Sequence, residues 1–352
     1  MVRHFRYWAV RGGAIGALAG AAIAIAGCGG SADTAGGSAT AATSGDTNLT
    51  LVAYSTPKHA YDSLQGGFAK TKAGKGISFS DSFGPSGSQS RAVASGQPAD
   101  IVAFSTTPDI DRLVKAGLVA SNWDANQYKG IVSDSTVVLV VRKGNPKHIR
   151  GWDDLIKPGV DVITPNPSTS GSARWNVMAA YGAQLKEGKS PSQALAYVRT
   201  LITKHVSVED PSGSTAMQTF VGGKGDVLLS YESEAISAVK AGEPVQYIVP
   251  KQTILIQTPI AVLKKSSHVK QAQAFVNWLW SPAAQTIWAQ KGYRPVVSSV
   301  RSKFTSKFPT PPQLFTIDSL GGWTQVKQKF FDPATGSITK IEQAAGFPTA
   351  SS

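Results

Sequence analysis

VDVITPNPSTSGSARWNVMAAYGAQL, residues 160–185, passes from strand to loop to helix without interruption. Val160 to Thr164 is a short apolar, β-branched run, which reads as a buried strand. Pro167 to Arg174 is rich in serine and glycine and holds no carboxylate, and from Ala173 to Leu185 the pattern is helical. The same unit recurs upstream. Ile77 to Ser82 alternates as a strand, Gly84-Pro85-Ser86-Gly87-Ser88-Gln89 is a loop, and a short helix is expected around Ser90 to Ala94.

Working outward, Leu49 to Tyr54 and Ala99 to Phe104 read as buried strands, each followed by a helix. The first helix opens at Pro57 and carries Ala60, Tyr61, Leu64 and Phe68 on one face; the second spans Asp109 to Ala116. Thr136 to Val141 is the most strand-like run, and Arg142 to Pro146 turns the chain. Further strands are expected at Asp226–Tyr231, Val245–Val249 and Pro259–Leu263, and helices at 191–204, 215–221, 233–240 and 269–279. Ser281-Pro282 marks one more helix start, a serine cap with proline in the first turn. Strands alternating with helices indicate an α/β fold with parallel sheet.

The two serine-glycine loops share a chemistry. A helix N-terminus leaves backbone N–H groups unpaired and carries partial positive charge. Glycine lets that backbone approach an anion closely, and serine hydroxyls add donors. One such loop is an ordinary helix cap. Two of them, one in each presumptive lobe, point to an anion held between them without a cationic side chain.

The N-terminus addresses the compartment. Arg3, Arg6 and Arg11 precede a run of small apolar residues from Ala14 to Ala26, and the run ends in Gly27-Cys28. That is a secretory leader, too short to span a bilayer. Its lone cysteine cannot form an internal disulfide, and its position fits a lipobox at which Cys28 is acylated and becomes the mature terminus. Residues 29–47 contain no large apolar residue and read as a flexible tether. The net charge of +13 falls to +10 once the leader's three arginines leave. No Lys/Arg run is longer than two residues, as at Lys264-Lys265, so nucleic acid is not an expected partner. Catalytic signatures are missing too. His4, His59, His148, His205 and His268 form no metal-spaced pair, and no HExxH, CxxC, GxSxG, phosphate-binding Walker loop or GxGxxG occurs. A serine-dependent hydrolase stays open as an alternative, because Ser86 or Ser170 could meet a histidine through the fold.

Residues 48–346 resemble the sulfate- and thiosulfate-binding proteins of ABC importers, actinobacterial-type lipoproteins among them. The resemblance rests on SFGPSGSQSRAV (82–93), PADIV (98–102), VVLVVRKGNPKHIRGWDDLIKPGVDVITPNPSTSGSARWN (137–176), GDVLLSYESEA (225–235), YRPV (293–296) and LFTIDSLGGW (314–323). It implies a two-lobed periplasmic-binding-protein fold (type II), each lobe a mostly parallel sheet flanked by helices, joined by two cross-over segments. Lobe I would take 48–132 plus 255–325 and lobe II 133–254, with 326–352 a C-terminal helical segment packing across the lobes. Carried over by residue, the ligands would be Ser86, the Ser170 hydroxyl with the Gly171 and Ser172 amides, a backbone amide at Ser212 or Gly213, and an aromatic donor at Tyr231. Tyr231 stands where the family has tryptophan, and Gly84-Pro85 and Gly171-Ser172 stand where it has paired glycines. Arg91 and Arg174, just behind the loops, would brace loop backbone. The implied protein is a monomer without cofactor, metal or catalysis; it would deliver sulfate or thiosulfate to permease subunits at the outer face of the cytoplasmic membrane.

Sulfate is a dianion with no proton to give at neutral pH, so a site of donors suits it. Phosphate keeps a proton and benefits from an acceptor. Neither loop holds Asp or Glu, which favours sulfate, although Glu232 and Asp210 flank the region. Molybdate, tungstate or phosphate on the same fold, and a sensory or adhesive lipoprotein, are the remaining alternatives.

Overall fold

The computed structural model describes residues 47–349. The leader with Cys28 and the tether as far as residue 46 lie outside the described residues; Thr47, expected in the tether, already belongs to the first strand. In chain order the first part contains β1 (Thr47–Tyr54), α1 (Lys58–Ala69), β2 (Ile77–Gly84), α2 (Ser86–Ala94), β3 (Ile101–Ala103), α3 (Thr107–Lys115) and β4 (Ile131–Arg142). The middle contains β5 (Val162–Pro165), α4 (Gly171–Lys186), α5 (Pro191–His205), β6 (Val206–Asp210), α6 (Gly213–Val221), β7 (Val227–Tyr231), α7 (Glu232–Lys240) and β8 (Val245–Ile248). The last part contains β9 (Gln252–Val262), α8 (Val269–Trp278), α9 (Pro282–Gln290), α10 (Ser298–Arg301), β10 (Gln313–Phe315), α11 (Gly322–Phe331) and α12 (Ser337–Ala345).

Two lobes arise because two strands are shared. The order along the sheet is β2-β1-β3-β9-β4-β7-β5-β6, with β8 on β4 and β10 on β9. β1 pairs in parallel with β2 and β3, and β5 in parallel with β6 and β7. Between these parallel blocks run β4 and β9, antiparallel to each other from Ile131↔Pro259 to Thr136↔Leu255. Each continues into a different block: β9 pairs with β3 through Ile260–Val262, and β4 with β7 through Val137–Val141.

These cross-over strands are longer than the apolar runs suggest, because their middles are polar yet buried. Ser133 and Thr258 lie opposite each other, their hydroxyls 2.8 Å apart, and Thr258 Oγ1 donates to the Ser133 carbonyl at 2.9 Å. Paired polar groups can be buried without the desolvation cost of orphans.

Each lobe has its own apolar core. In the first, Leu49, Leu51 and Ala53 of β1 meet Tyr61, Leu64 and Phe68 of α1 and Phe275 and Trp288 of α8 and α9. In the second, Val137, Leu139 and Val141 of β4 pack with Trp152, Trp175 and Met178. Val326, Phe330 and Ile338 of the C-terminal helices join that second core, and α11 also touches α3 of the first lobe. No helix among the described residues is long and apolar enough to cross a membrane.

Candidate functional site

Helices α1, α2, α3, α4, α6 and α7 follow the carboxyl ends of β1, β2, β3, β5, β6 and β7. In open α/β sheets, ligands bind at that edge. There the two lobes enclose a small cavity. Three helix N-termini reach it: α2 through Pro85 and Ser86, α4 through Ser170 and Ser172, and α6 through Ser212 and Gly213. Tyr54, Ser55 and Thr56 at the end of β1, with Ser105 at the end of β3, complete the wall. No charged residue lines it. The free space is small, about 10 Å3, little more than one water molecule fills, so a bound solute must be compact and must displace the surrounding hydroxyls slightly.

Ser86, Ser170, Ser172, Ser212 and Gly213, expected together from sequence, thus converge on one cavity. Their hydrogen bonding differs from residue to residue. Ser86 is the first residue of α2 and not a loop residue before it. Its Oγ donates to Asp109 Oδ2 at 2.7 Å and accepts the Ser105 amide at 3.0 Å. For Ser86 to donate into the cavity its hydroxyl must turn away from Asp109, which would keep Thr106 Oγ1 at 3.0 Å and Arg112 at 3.1 Å. The Ser170 and Ser172 hydroxyls lie 2.7 Å apart. A hydroxyl pair owns two protons and uses one between its members, so one remains for a ligand. Ser212 behaves as a helix cap, accepting the Thr215 amide at 3.1 Å.

Tyr231 does not line the cavity. It is fully buried at the end of β7, its hydroxyl 2.6 Å from Ser105 Oγ. Burial holds the phenol well above its ordinary range, so it keeps its proton. When Tyr231 donates to Ser105, the Ser105 proton is free to point into the cavity. Ser105 and Thr56 escaped the sequence reading, although both sit where a strand gives way to a helix, the signal used for Ser86 and Ser170. Arg91 and Arg174 stand behind the loops: Arg174 Nε donates to the Pro167 carbonyl at 2.9 Å and Arg91 to the Ser168 carbonyl at 3.4 Å.

The lobes touch around the cavity. The Gly87 amide of α2 donates to the Thr169 carbonyl at 3.0 Å, and Trp175 Nε1 to the Ser105 carbonyl at 2.8 Å. Three glycines allow this approach. A Cβ on Gly87 would lie 2.9 Å from the Thr169 oxygen, and one on Gly171 would lie 2.7 Å from Ser105 Oγ. A Cβ on Gly213 would lie 2.9 Å from Glu234 Oε2 and 3.0 Å from Ser172 Oγ.

The carboxylates lie one layer out. Glu234 accepts the Ser230 hydroxyl at 2.8 Å. Burial, offset in part by that bond and one from Thr56, pushes its carboxyl up to about 7. Glu232, which flanks the region in sequence, is gripped by Arg294 through two bonds of 2.6 and 3.0 Å and is no free acceptor.

Over residues 49–294 the sequence matches the family described as bacterial extracellular solute-binding protein. A sulfate-binding protein of Synechococcus elongatus is 40% identical over 305 residues, covering 84% of this chain and 87% of that protein. A thiosulfate-binding protein of Escherichia coli K12 is 34% identical over 308 residues, covering 84% and 91%. Among solved structures, the sulfate-binding protein SubI of Mycobacterium tuberculosis H37Rv superposes with a TM-score of 0.80 at 48% identity, covering 81% of this chain and all of that one.

Proposed function

The chain belongs to the bacterial extracellular solute-binding proteins, and we propose that it captures sulfate between its lobes and delivers it to an ABC importer. Membership of that family makes it an exported protein. One observation carries the choice of cargo: a closed, compact cavity at three helix N-termini, walled by hydroxyls and amides and by no carboxylate. Such a wall can turn hydroxyl and amide protons toward a dianion and sets no negative charge against it. The size excludes nucleotides and sugars. Thiosulfate, longer by the difference between sulfur and oxygen, is the nearest competitor.

In this reading the ligands are Ser86, the Ser170–Ser172 pair with the amides at Gly171 and Ser172, and the head of α6 at Ser212 and Gly213. Tyr231 acts through Ser105, and Arg91 and Arg174 hold loop carbonyls in place. Bound anion bridges lobe I (48–132 with 255–325) and lobe II (133–254), and so favours the closed form by its differential affinity. The permease subunits then read the paired lobe surfaces of a monomer. The signal peptide of residues 1–28, ending in the lipobox cysteine, directs export and is cut before Cys28, and a lipid on Cys28 holds the mature protein at the membrane's outer face. Acyl labelling that persists in a Cys28→Ala chain would remove that anchor. The hydrolase alternative lacks a histidine base among the described residues, since His59, His148, His205 and His268 do not line the cavity.

The deciding experiment is calorimetric titration with sulfate, thiosulfate, molybdate and phosphate at neutral pH. Tight one-to-one sulfate binding that phosphate does not displace is expected. Silence toward sulfate with a clear response to another oxyanion would keep the fold and overturn the cargo.

A further inference from the structure

A second pocket flanks the loop 167–174 and is of another kind. It measures about 310 Å3, the size of a small-molecule site. Four cations line it: Arg91 of α2, Arg112 of α3, Arg174 of α4 and Lys327 of α11. Arg112 is paired with Asp109 at 3.1 Å. Arg91, Arg174 and Lys327 meet no carboxylate within salt-bridge distance among the described residues. Arg174 commits its Nε to the Pro167 carbonyl, while its terminal nitrogens make no hydrogen bond among the described residues.

The two acids in the lining offset this charge incompletely. Asp332 Oδ1 accepts the amides of Ala334 and Thr335 and the Thr335 hydroxyl. Glu342 is buried beside Glu209, and burial holds its carboxyl above the ordinary range, which weakens its charge. The remaining lining is mixed: Phe331 with Pro167, Pro333 and Pro348 gives an apolar side, Ser168, Thr339 and Thr349 add polar groups, and Ile338 backs the wall from within the core. Concentrated, incompletely compensated positive charge beside a partly apolar wall is the complement of an anionic head on an apolar body.

We propose that this pocket binds a small sulfate or phosphate monoester, its tetrahedral head on Arg91, Arg174 and Lys327 and its apolar body against Phe331, Pro333 and Pro348. The ester is distinct from the cargo, which the neutral cavity takes. Arg91 and Arg112 belong to the first lobe and Arg174 to the second, so an ester gripped by both favours closure. Its binding and that of the inner anion then help each other by one common factor. This coupling rests on the proposed closure; the pocket itself does not.

The test titrates phenyl phosphate and phenyl sulfate into the full chain under saturating sulfate, which occupies the inner cavity. One-to-one binding is expected, with roughly tenfold loss in Lys327→Glu, since a reversed charge at short range replaces attraction by repulsion. Lys327 is exposed, so the variant keeps its fold, and its own sulfate affinity should match the parent's. Comparing the two esters identifies which head is preferred. No ester binding up to about 10 mM, weaker than a 1 mM interaction of roughly 4 kcal/mol, would overturn the proposal. So would equal binding by parent and Lys327→Glu. Inorganic phosphate binding as tightly as either ester would overturn the role of the apolar wall, and unchanged sulfate affinity under saturating ester would overturn the coupling. Should sulfate itself fail to bind, the same titrations without it read the pocket independently of the cargo.

Discussion

Gly171→Ala should weaken anion capture without weakening the protein. Gly171 is the first residue of α4, and its φ lies outside the left-handed region, so alanine adopts that backbone freely and is the better helix former. The added methyl would lie 2.7 Å from Ser105 Oγ, 2.8 Å from Ser105 Cβ and 3.0 Å from Thr106 Cγ2. Ser105 cannot simply swing aside. Its amide is bonded to Ser86, its carbonyl to Trp175 and its hydroxyl to Tyr231. The lobes must therefore part by several tenths of an ångström. Overpacking of this kind costs about 1–3 kcal/mol. The cost falls on the closed form, where α4 meets the end of β3, and it is absent once the lobes separate. A free-energy change of that size confined to one of two states lowers apparent sulfate affinity by roughly 5–150-fold.

Calorimetry gives the affinity, thermal unfolding of the ligand-free chain gives the stability, and small-angle scattering follows compaction on adding sulfate. The expected outcome is weakened binding, incomplete compaction and an unfolding temperature no lower than the parent's. Sulfate affinity within twofold of the parent would refute the reasoning. So would a loss of affinity matched by an equal loss of ligand-free stability, since the substitution would then be damaging the lobe and not the closure.

Ser170→Ala removes one member of the Ser170–Ser172 hydroxyl pair and should weaken sulfate about tenfold, the worth of a hydrogen bond to a charged group; titration calorimetry reads it. Tyr231→Phe leaves Ser105 its own proton and should cost less, roughly 1 kcal/mol, by the same measurement. Arg294→Met strands Glu232 as a buried unpaired carboxylate and should cost about 3–5 kcal/mol in urea unfolding, most of it recovered when Glu232→Leu is added. Glu234 sits in the folded protein at about 7, above its ordinary 4.5, so ionising it opposes folding. Its drag on stability is absent below about pH 4.5, grows as pH rises to about 7 and then levels off. A dianion bound beside Glu234 disfavours the carboxylate further, so sulfate should bind more tightly at pH 6 than at pH 8, and Glu234→Gln should flatten that dependence.

What the sequence disclosed followed from how far each signal is local. Strands such as β1 and β7 and helices such as α1 and α9 stood out because a continuous apolar run, or an apolar face with a cap, is written in neighbouring residues. Ser281 does accept the Ala284 amide at 3.2 Å, as its position before Pro282 suggested. The two cross-over strands were read short: Ser133–Ser135 look polar until their partners across the sheet are known, and Gln257-Thr258 interrupt the apolar run Ile254–Ile256 before Pro259. The strand β6 was not read at all; Val206–Asp210 alternates for five residues and ends in two acids. Helices α2, α4 and α6 begin one or more residues earlier than their apolar patterns, because serine and glycine fill the first turn.

The same division runs through the site. Loop composition and resemblance nominated Ser86, Ser170, Ser172, Ser212 and Gly213 as an anion wall, and all five meet at one cavity. Composition could not tell which hydroxyls are already spent. The Ser86 proton goes to Asp109 and the Ser212 oxygen to its own helix, and both facts depend on residues whose positions the chain fixes through its fold. Tyr231 makes the point most clearly. Its place in GDVLLSY suggested direct contact with the anion, but a phenol reaches differently from an indole, and the space between tyrosine and cavity is taken by Ser105. That serine comes from a strand of the other lobe, more than a hundred residues away in sequence. On the proposed function, a donor in this wall is therefore a pair, Tyr231 with Ser105, contributed by the two lobes, so part of the anion's coordination would be created by the closure that the anion favours.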